Sequence, residues 1–287
     1  MKCLITGATG FLGRRVAEVF KTEFEVVGHG FTQTGVEIHC NLKEPDEIRR
    51  MLDEQTPDVV INCAAFRDPD FCEDHPEDAR RLNTRGVEVL AEALPADRRL
   101  IQVSTDYVFG GGNPPYGPDD ATFPINVYGE TKRDGEAAAL NHPNGLALRI
   151  PLLVGAGPTW ETSGFIFKTA ELIEAGTAAE LDDVGTRFPT WINDVAEALL
   201  FLVQRDATGI YHCSSSTPST KYKLAVELAG LMNRSAEHLR ASQDPVSRAI
   251  RPSNTQLDTS KLKALGFDRI HPFVEVAEKV LKSFGIV

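Results

Sequence analysis

The sequence predicts an α/β fold, a doubly wound parallel sheet followed by a smaller lobe made from the C-terminal third. Three observations lead there. A short apolar run at residues 2–6 passes directly into a glycine-rich turn and a helix; strand-length apolar runs then alternate steadily with helical stretches; and the alternation loosens after Pro151. When each strand is followed by a helix, the chain is carried back to the same end of the sheet. The strands are then parallel and helices cover both faces.

Lys2-Cys3-Leu4-Ile5-Thr6 has the length and apolar content of a buried strand. Gly7-Ala8-Thr9-Gly10-Phe11-Leu12-Gly13 follows at once and leads into a helix expected from about Phe11 to Lys21. Gly7, Gly10 and Gly13 permit a tight turn and close backbone approach. The N–H groups and positive dipole at the helix start can receive a pyrophosphate, so the stretch reads as a dinucleotide loop. The second strand, Phe24 to Val27, ends in Gly28-His29-Gly30-Phe31-Thr32-Gln33. A protein that binds NAD usually places an Asp or Glu there, on the ribose hydroxyls, and none is present. Arg14 stands just past the third glycine, where a guanidinium can reach a 2′-phosphate. Together these features predict NADP(H) in preference to NAD(H). The plainer reading of Arg14 is a solvent-facing helical residue, and Phe31 either packs on the adenine or closes the core at the strand end.

A short strand through Glu37-Ile38-His39-Cys40 comes next, then Asn41-Leu42 and a helix from Glu44 to Glu54 with Pro45 near its start. Asp58 to Ala65 reads as a fourth strand ending in the small residues Cys63, Ala64 and Ala65, as expected where backbone approaches a cofactor. A loop through Arg67 and Asp70 leads to a long helix, roughly Pro76 to Leu94, which contains Asn83-Thr84-Arg85-Gly86.

Leu100-Ile101-Gln102-Val103-Ser104 is another buried strand and runs into Thr105-Asp106-Tyr107-Val108-Phe109-Gly110. After a Gly/Pro-rich loop, Asn126-Val127-Tyr128-Gly129-Glu130-Thr131-Lys132 opens a helix that continues to about Leu140. Tyr128 and Lys132 are four residues apart and share one face of that helix. A phenol is a weak acid at neutral pH, and a nearby ammonium favours its ionised form, so the pair reads as a proton donor. Thr105, at the strand end, can hold a substrate oxygen while the proton moves. The plainer reading of Tyr-x-x-x-Lys is coincidence; its company, a hydroxyl at a strand end and a nucleotide loop at the start of the chain, argues for catalysis.

Leu146 to Ile150 is a sixth strand, stopped by Pro151. Gly155 to Ser163 reads as a loop, Gly164 to Ala175 as a helix and Gly176 to Arg187 as a polar segment. Phe188-Pro189-Thr190-Trp191-Ile192, a helix from Asn193 to Gln204 and a strand from Gly209 to Cys213 look like a return to the sheet. Thr220 to Met232 is an amphipathic helix, and Arg251-Pro252-Ser253-Asn254 is irregular before two closing helices. The expected division is a Rossmann-type nucleotide domain over 1–150 and a smaller C-terminal substrate-binding lobe over 151–287, with about 188–213 rejoining the sheet. Open sheets of this kind bind ligands beyond the carboxyl ends of their strands. The candidate lobe contacts to an anionic substrate are Arg187 and Arg251, with Thr190, Trp191 and Asn254 beside them. An Arg before a Pro also reads as a brace for the irregular segment.

At 287 residues the chain buries an ample core. Lys and Arg number 30 against 41 Asp and Glu, and the net charge of −11 opposes attraction to nucleic acid or an acidic membrane. No apolar run has the length of a membrane span and no signal-peptide pattern opens the chain, so a cytoplasmic location is expected. Cys3, Cys40, Cys63, Cys72 and Cys213 show no C-x-x-C spacing and read as buried free thiols. The His residues show no metal-ligand pairing, and no metal is expected.

With these motifs in hand, the chain resembles the extended short-chain dehydrogenase/reductases along its whole length. Within them it looks like the dTDP-4-dehydrorhamnose reductase branch, through Ser104-Thr105-Asp106-Tyr107-Val108-Phe109, Asn126 to Lys132 and Arg251 to Asp258. It is similar as well to the regulatory β subunits of methionine adenosyltransferase. Cys63-Ala64-Ala65, Arg67 with Pro69-Asp70, Asn113 to Tyr116, Arg187 to Thr190 and Thr220-Lys221-Tyr222 carry that likeness. The resemblance implies Tyr128 as proton donor, Lys132 as holder of the nicotinamide ribose and Thr105 as orienter of the carbonyl. It implies cofactor contacts from Thr9 to Leu12, Phe31, Asn41, Leu42, Cys63, Arg67 and Leu153. Phe66-Arg67-Asp68-Pro69 and Gly110-Gly111 depart from the usual reductase residues at the cleft border, and Tyr107 stands where dehydratases carry Glu. The implied activity is NADPH-dependent reduction of a 4-keto-6-deoxysugar nucleotide. The alternative is an NADP-binding regulatory subunit docked on a methionine adenosyltransferase, and a homodimer is compatible with either.

Overall fold

The computed structural model describes residues 1–31 and 35–287; Thr32 and Gln33, named above at the end of the second strand, lie outside the described residues. The chain runs β1 (Lys2–Thr6), α1 (Phe11–Phe20), β2 (Glu25–Gly30), β3 (Ile38–His39), α2 (Pro45–Gln55) and β4 (Val59–Asn62). It continues through α3 (Pro69–Asp74), α4 (Pro76–Arg80), a π-helical turn at Arg81–Arg85, α5 (Gly86–Ala93), β5 (Arg99–Thr105), α6 (Val127–Leu140) and β6 (Gly145–Ile150). Beyond these come β7 (Leu153–Val154), α7 (Gly164–Ala175), β8 (Ala179–Asp182), β9 (Thr190–Trp191), α8 (Ile192–Val203) and β10 (Gly209–His212). The last elements are α9 (Lys221–Leu231), β11 (Leu239–Ser242), α10 (Ser260–Ala264) and α11 (Phe273–Ser283).

Seven strands form one parallel sheet in the order β10-β6-β5-β4-β1-β2-β3. Side-chain alternation sorts its residues between two cores. Cys3, Ile5, Val59, Ile61, Ile101 and Val103 face α1 and α8. Their neighbours Leu4, Val60 and Leu100 face α2, α5 and α6. A period of two along strands buried on both faces is therefore what turns near-continuous apolar runs into a three-layer fold. A third core joins Val154 to α7, α9, β11 and α11. It is the core of the C-terminal lobe. Within it β8 pairs with β11, while β7 pairs with β9. α8 packs on α1, and β10 joins the main sheet beside β6.

Three local readings change. The expected loop through Asp70 is a helix, α3, because Asp68 caps it by accepting from the Asp70 and Phe71 N–H groups and Pro69 supplies a preset first residue. The single long helix contains a π turn at Arg81–Arg85, with helical backbone continuing on both sides. The polar stretch after Gly176 contains β8, whose partner β11 was equally unforeseen; both are short and only partly buried, so neither carries an apolar pattern. No helix among the described residues is long and apolar enough to cross a membrane.

Candidate active site

β5 is buried along its whole length and delivers Thr105 to its carboxyl end. The start of α6 is fixed by two carboxamide and carboxylate contacts: Asn126 accepts the Gly129 N–H at 2.8 Å and Glu73 accepts the Val127 N–H at 2.9 Å. Small residues let α6 lie close to its neighbours. A Cβ at Gly129 would collide with the Tyr107 carbonyl, and one at Gly135 with the Asn83 carbonyl. This seating places Tyr128 beside Thr105 and meets Tyr107 edge-on, with ring centroids 5.9 Å apart. Lys132 is 3% exposed and donates from Nζ to the Val103 carbonyl at 2.7 Å.

The electrostatics differ from the sequence expectation at one point. Lys132 was expected to lower the Tyr128 pKa, yet burial raises that pKa and the opposing pull comes from Thr105, with Asp106, Tyr107 and Cys72 adding to the rise. The physical reason is that the ammonium is turned to the Val103 carbonyl, while the phenol is enclosed by neutral and acidic groups. Lys132 itself is pushed down to about 8 by burial, against Cys63, Glu136 and Cys72.

The glycine loop fits a dinucleotide by its shape. Gly7 has φ +65°, and a Cβ there would stand 2.9 Å from the Ala64 backbone N; a Cβ at Gly13 would strike the Gly7 carbonyl. Gly10 precedes α1 and no side chain caps that helix, so its first N–H groups face the loop without a side-chain acceptor. His29 braces the loop from behind. Its Nδ1 accepts the Gly7 N–H at 3.4 Å and its Nε2 lies 2.8 Å from the Cys40 carbonyl, an acceptor-only group, which assigns the proton to Nε2. Burial lowers the His29 pKa and favours this neutral ring. Arg14 donates to the Thr9 carbonyl at 2.8 Å, and the Thr9 side chain lies close to Gly30 at the end of β2.

The other expected cofactor contacts divide. Phe31 is 57% exposed, which excludes its reading as a core residue. Cys63, Ala64 and Ala65 are half-buried beyond β4, Leu153 is half-buried and Arg67 is exposed. Asn41 holds the Lys43 N–H at 3.1 Å. Leu42 is 5% exposed within the core beside α2, so only its backbone is left for a ligand. Phe11 and Leu12 lie at the start of α1, the first half-buried and the second in the core.

Most of the side chains expected at the substrate hold partners within the chain, and for Arg251 this matches its reading as a brace. Arg187 is 5% exposed and donates to the carbonyls of Thr186 and Pro252 at 3.0 Å each, with Asp182 3.5 Å away. Arg251 forms a two-pronged bridge to Asp70, both contacts 2.9 Å, and the guanidinium holds the Asp70 carboxyl down at about 2. Thr190 is fully buried between the Phe188 carbonyl and the Ser215 N–H. Trp191 lines a cavity of about 310 Å³ together with Phe11 and Arg14 of the nucleotide loop's helix and with Lys279. Asn254 accepts from the Gln256 N–H at 3.0 Å. Arg187, Arg251, Thr190 and Asn254 thus each hold a partner within the chain, whereas Trp191 faces a cavity.

Three residues join the site without having been singled out for it. Lys221, at the start of α9, is exposed and makes no ion pair among the described residues; desolvation and the nearby Arg187 and Arg251 charges lower its pKa. Asn83, in the π turn, takes the Phe66 N–H at 2.8 Å and donates to the Phe66 carbonyl at 2.9 Å and to Thr131 at 3.1 Å. It ties the loop after β4 to α6. Asp106 accepts from Thr105 and Thr255. The Asn83 and Asp106 motifs were visible in the sequence, whereas their contacts, made across 48 and 149 residues, were not.

A nucleotide loop and a Thr/Tyr/Lys cleft on one doubly wound sheet define an oxidoreductase-type site. Residues 1–286 match the family described as RmlD substrate binding domain, and the chain belongs to that family, within the extended short-chain dehydrogenase/reductases. It is 39% identical over 282 residues to methionine adenosyltransferase 2 subunit beta of Xenopus laevis, covering 95% of this chain and 84% of that protein. It is 32% identical over 274 residues to a probable dTDP-4,6-dihydroxy-2-methyloxan-3-one 4-ketoreductase of Streptomyces antibioticus, covering 93% and 90%. A crystal structure of a dTDP-4-dehydrorhamnose reductase from Clostridium acetobutylicum matches with TM-score 0.89 and 26% identity, over 99% of this chain and 100% of that one.

Proposed function

We propose that the protein is an NADPH-dependent reductase of a 4-keto-6-deoxysugar nucleotide. The observation that carries this reading is the meeting of Thr105, Tyr128 and Lys132 at the carboxyl end of β5, next to a loop whose glycines leave room for a pyrophosphate. Bound cofactor supplies the hydride. Tyr128 gives a proton to the oxygen that the hydride leaves negative; its raised pKa keeps that proton in place at neutral pH until the alkoxide forms. Lys132 spends one N–H on Val103 and keeps the others for a ribose hydroxyl. Arg14, held on the Thr9 carbonyl of the loop, selects the 2′-phosphate of NADPH. Residues 1–150 hold the cofactor, and the lobe over 151–287, apart from about 188–213, receives the sugar nucleotide. With Arg187 and Arg251 engaged internally, Lys221 is the cation in the lobe that meets the diphosphate.

A second reading has specific support. The 39% identity to methionine adenosyltransferase 2 subunit beta, together with two cleft arginines already paired inside the chain, favours a regulatory subunit that binds NADP and docks on a methionine adenosyltransferase. The two are separated by following NADPH oxidation across a panel of 4-keto sugar nucleotides, alongside co-elution with a methionine adenosyltransferase. Oxidation supports the reductase. No oxidation together with stable co-elution replaces it with the regulatory subunit.

A further inference from the structure

We propose that Asp106 is a positioning residue whose protonation sets the direction in which the Thr105 hydroxyl donates, and that its neutral form is the one that supports reduction. The proposal rests on the reductase reading. Asp106 and Thr105 are each 4% exposed and Thr255 is fully buried. Both carboxyl oxygens of Asp106 face hydroxyls: Oδ1 lies 3.2 Å from Thr105 Oγ1, and Oδ2 meets Thr255 Oγ1.

A hydroxyl has one proton and two lone pairs, so the contacts of Thr105 can be assigned. Ionised Asp106 only accepts, which commits the Thr105 proton to Oδ1. The Tyr107 N–H, 3.2 Å away, takes one lone pair, and the other is left facing Tyr128. In that state Thr105 accepts from Tyr128, draws the phenol proton toward itself and has nothing to donate into the cleft. Uptake of one solvent proton on Oδ1 reverses the arrangement. Asp106 then donates to Thr105, the Tyr107 N–H keeps its lone pair, and the proton of Thr105 turns to the Tyr128 oxygen. A donor there stabilises the phenolate that Tyr128 becomes on giving its proton away.

The surroundings lift the exchange above the usual carboxylate range. Burial raises the Asp106 carboxyl to about 6, against Thr255, the Arg187 guanidinium and Thr105. Arg187 is itself paired with Asp182, and Tyr107 and Tyr128 face Asp106 from the cleft, with Arg251 reaching Tyr107. Thr255 stands in a segment that bridges to Thr186 through Asn254 and to Tyr116 through Leu257, so this irregular segment grips the switch.

The test compares kcat between about pH 5 and pH 9 for wild type, Asp106→Asn and Thr255→Val. Wild-type kcat should fall by up to tenfold per pH unit above the carboxyl ionisation, because only the neutral form is competent. Asp106→Asn, whose amide can always present a donor to Thr105, should lose that limb. Thr255→Val removes a donor to the carboxylate and should move the limb to higher pH. A uniform loss at all pH in Asp106→Asn, or a limb that Thr255→Val leaves in place, overturns the proposal. Failure of the reductase reading is seen separately, as no turnover in wild type. The phenolate absorbance of Tyr128, read as wild type minus Tyr128→Phe, then decides. Asp106→Asn should lower the pH at which Tyr128 ionises, and the lowering should vanish in a Thr105→Val background; a shift that persists there is simple charge removal and overturns the proposal.

Discussion

Tyr128 and Arg14 carry the two sharpest residue-scale predictions. Tyr128→Phe keeps the ring against Tyr107 but has no proton to give, so turnover should fall by about 10²–10⁴ while NADPH affinity stays within a few fold. Paired rate and cofactor-fluorescence measurements check both halves. NADPH should bind at least about tenfold more tightly than NADH, equivalent to about 1.4 kcal/mol, and Arg14→Ala should erase the difference. Equal affinities in wild type contradict the role given to Arg14. At this scale the sequence was legible where chemistry follows from local spacing. Tyr128 and Lys132 share a helix face whatever the tertiary fold. The partners of Arg187 and Arg251 were not legible, because a cation in an acidic chain looks available until its carboxylate is located, and Asp182 and Asp70 are located only by folding.

Among the elements, α6 depends most on contacts made below its catalytic turn. One turn past Lys132, Glu136 is 3% exposed and forms two contacts with Arg149 of β6, at 2.5 and 3.0 Å. Arg149 also lies 5.0 Å from the Phe109 ring centroid. Arg149→Met would leave a buried carboxylate without its partner, at a cost of about 3–5 kcal/mol in urea unfolding. A change below about 1 kcal/mol would mean that water reaches Glu136. The π turn makes a parallel case. Asn83→Ala removes both bonds to Phe66 and the bond to Thr131, and should cost about 1–3 kcal/mol while loosening the loop that carries Arg67. The strands and helices of the sheet were legible because each must bury an apolar face. β8 and β11 were not, since a short two-stranded ribbon at a lobe surface needs only backbone pairing.

Across the whole molecule, two ion pairs fasten the irregular C-terminal segment to α3: Arg251 to Asp70 and Arg248 to Asp74. Asn126 adds a bond from its side chain to the Ile250 carbonyl at 2.8 Å, so the segment that holds Thr255 is tied to the cap of the catalytic helix. Asp70 is depressed in the folded state, so its contribution is present above the unfolded value of about 3.9 and is lost as pH falls through about 2. Asp70→Asn should therefore speed proteolytic cleavage between residues 243 and 250 at neutral pH, and acid should do the same to wild type. The loosening of the alternation after Pro151 was legible in the sequence, but which residues lock the segments beyond it to the sheet was not. The most direct measurement of the central claim uses NADPH carrying deuterium in the transferable position and a dTDP-4-keto-6-deoxysugar. The account predicts deuterium at C4 of the hydroxyl product with wild type and essentially none with Tyr128→Phe. A sugar recovered unlabelled and unreduced from wild type that has bound NADPH would contradict it.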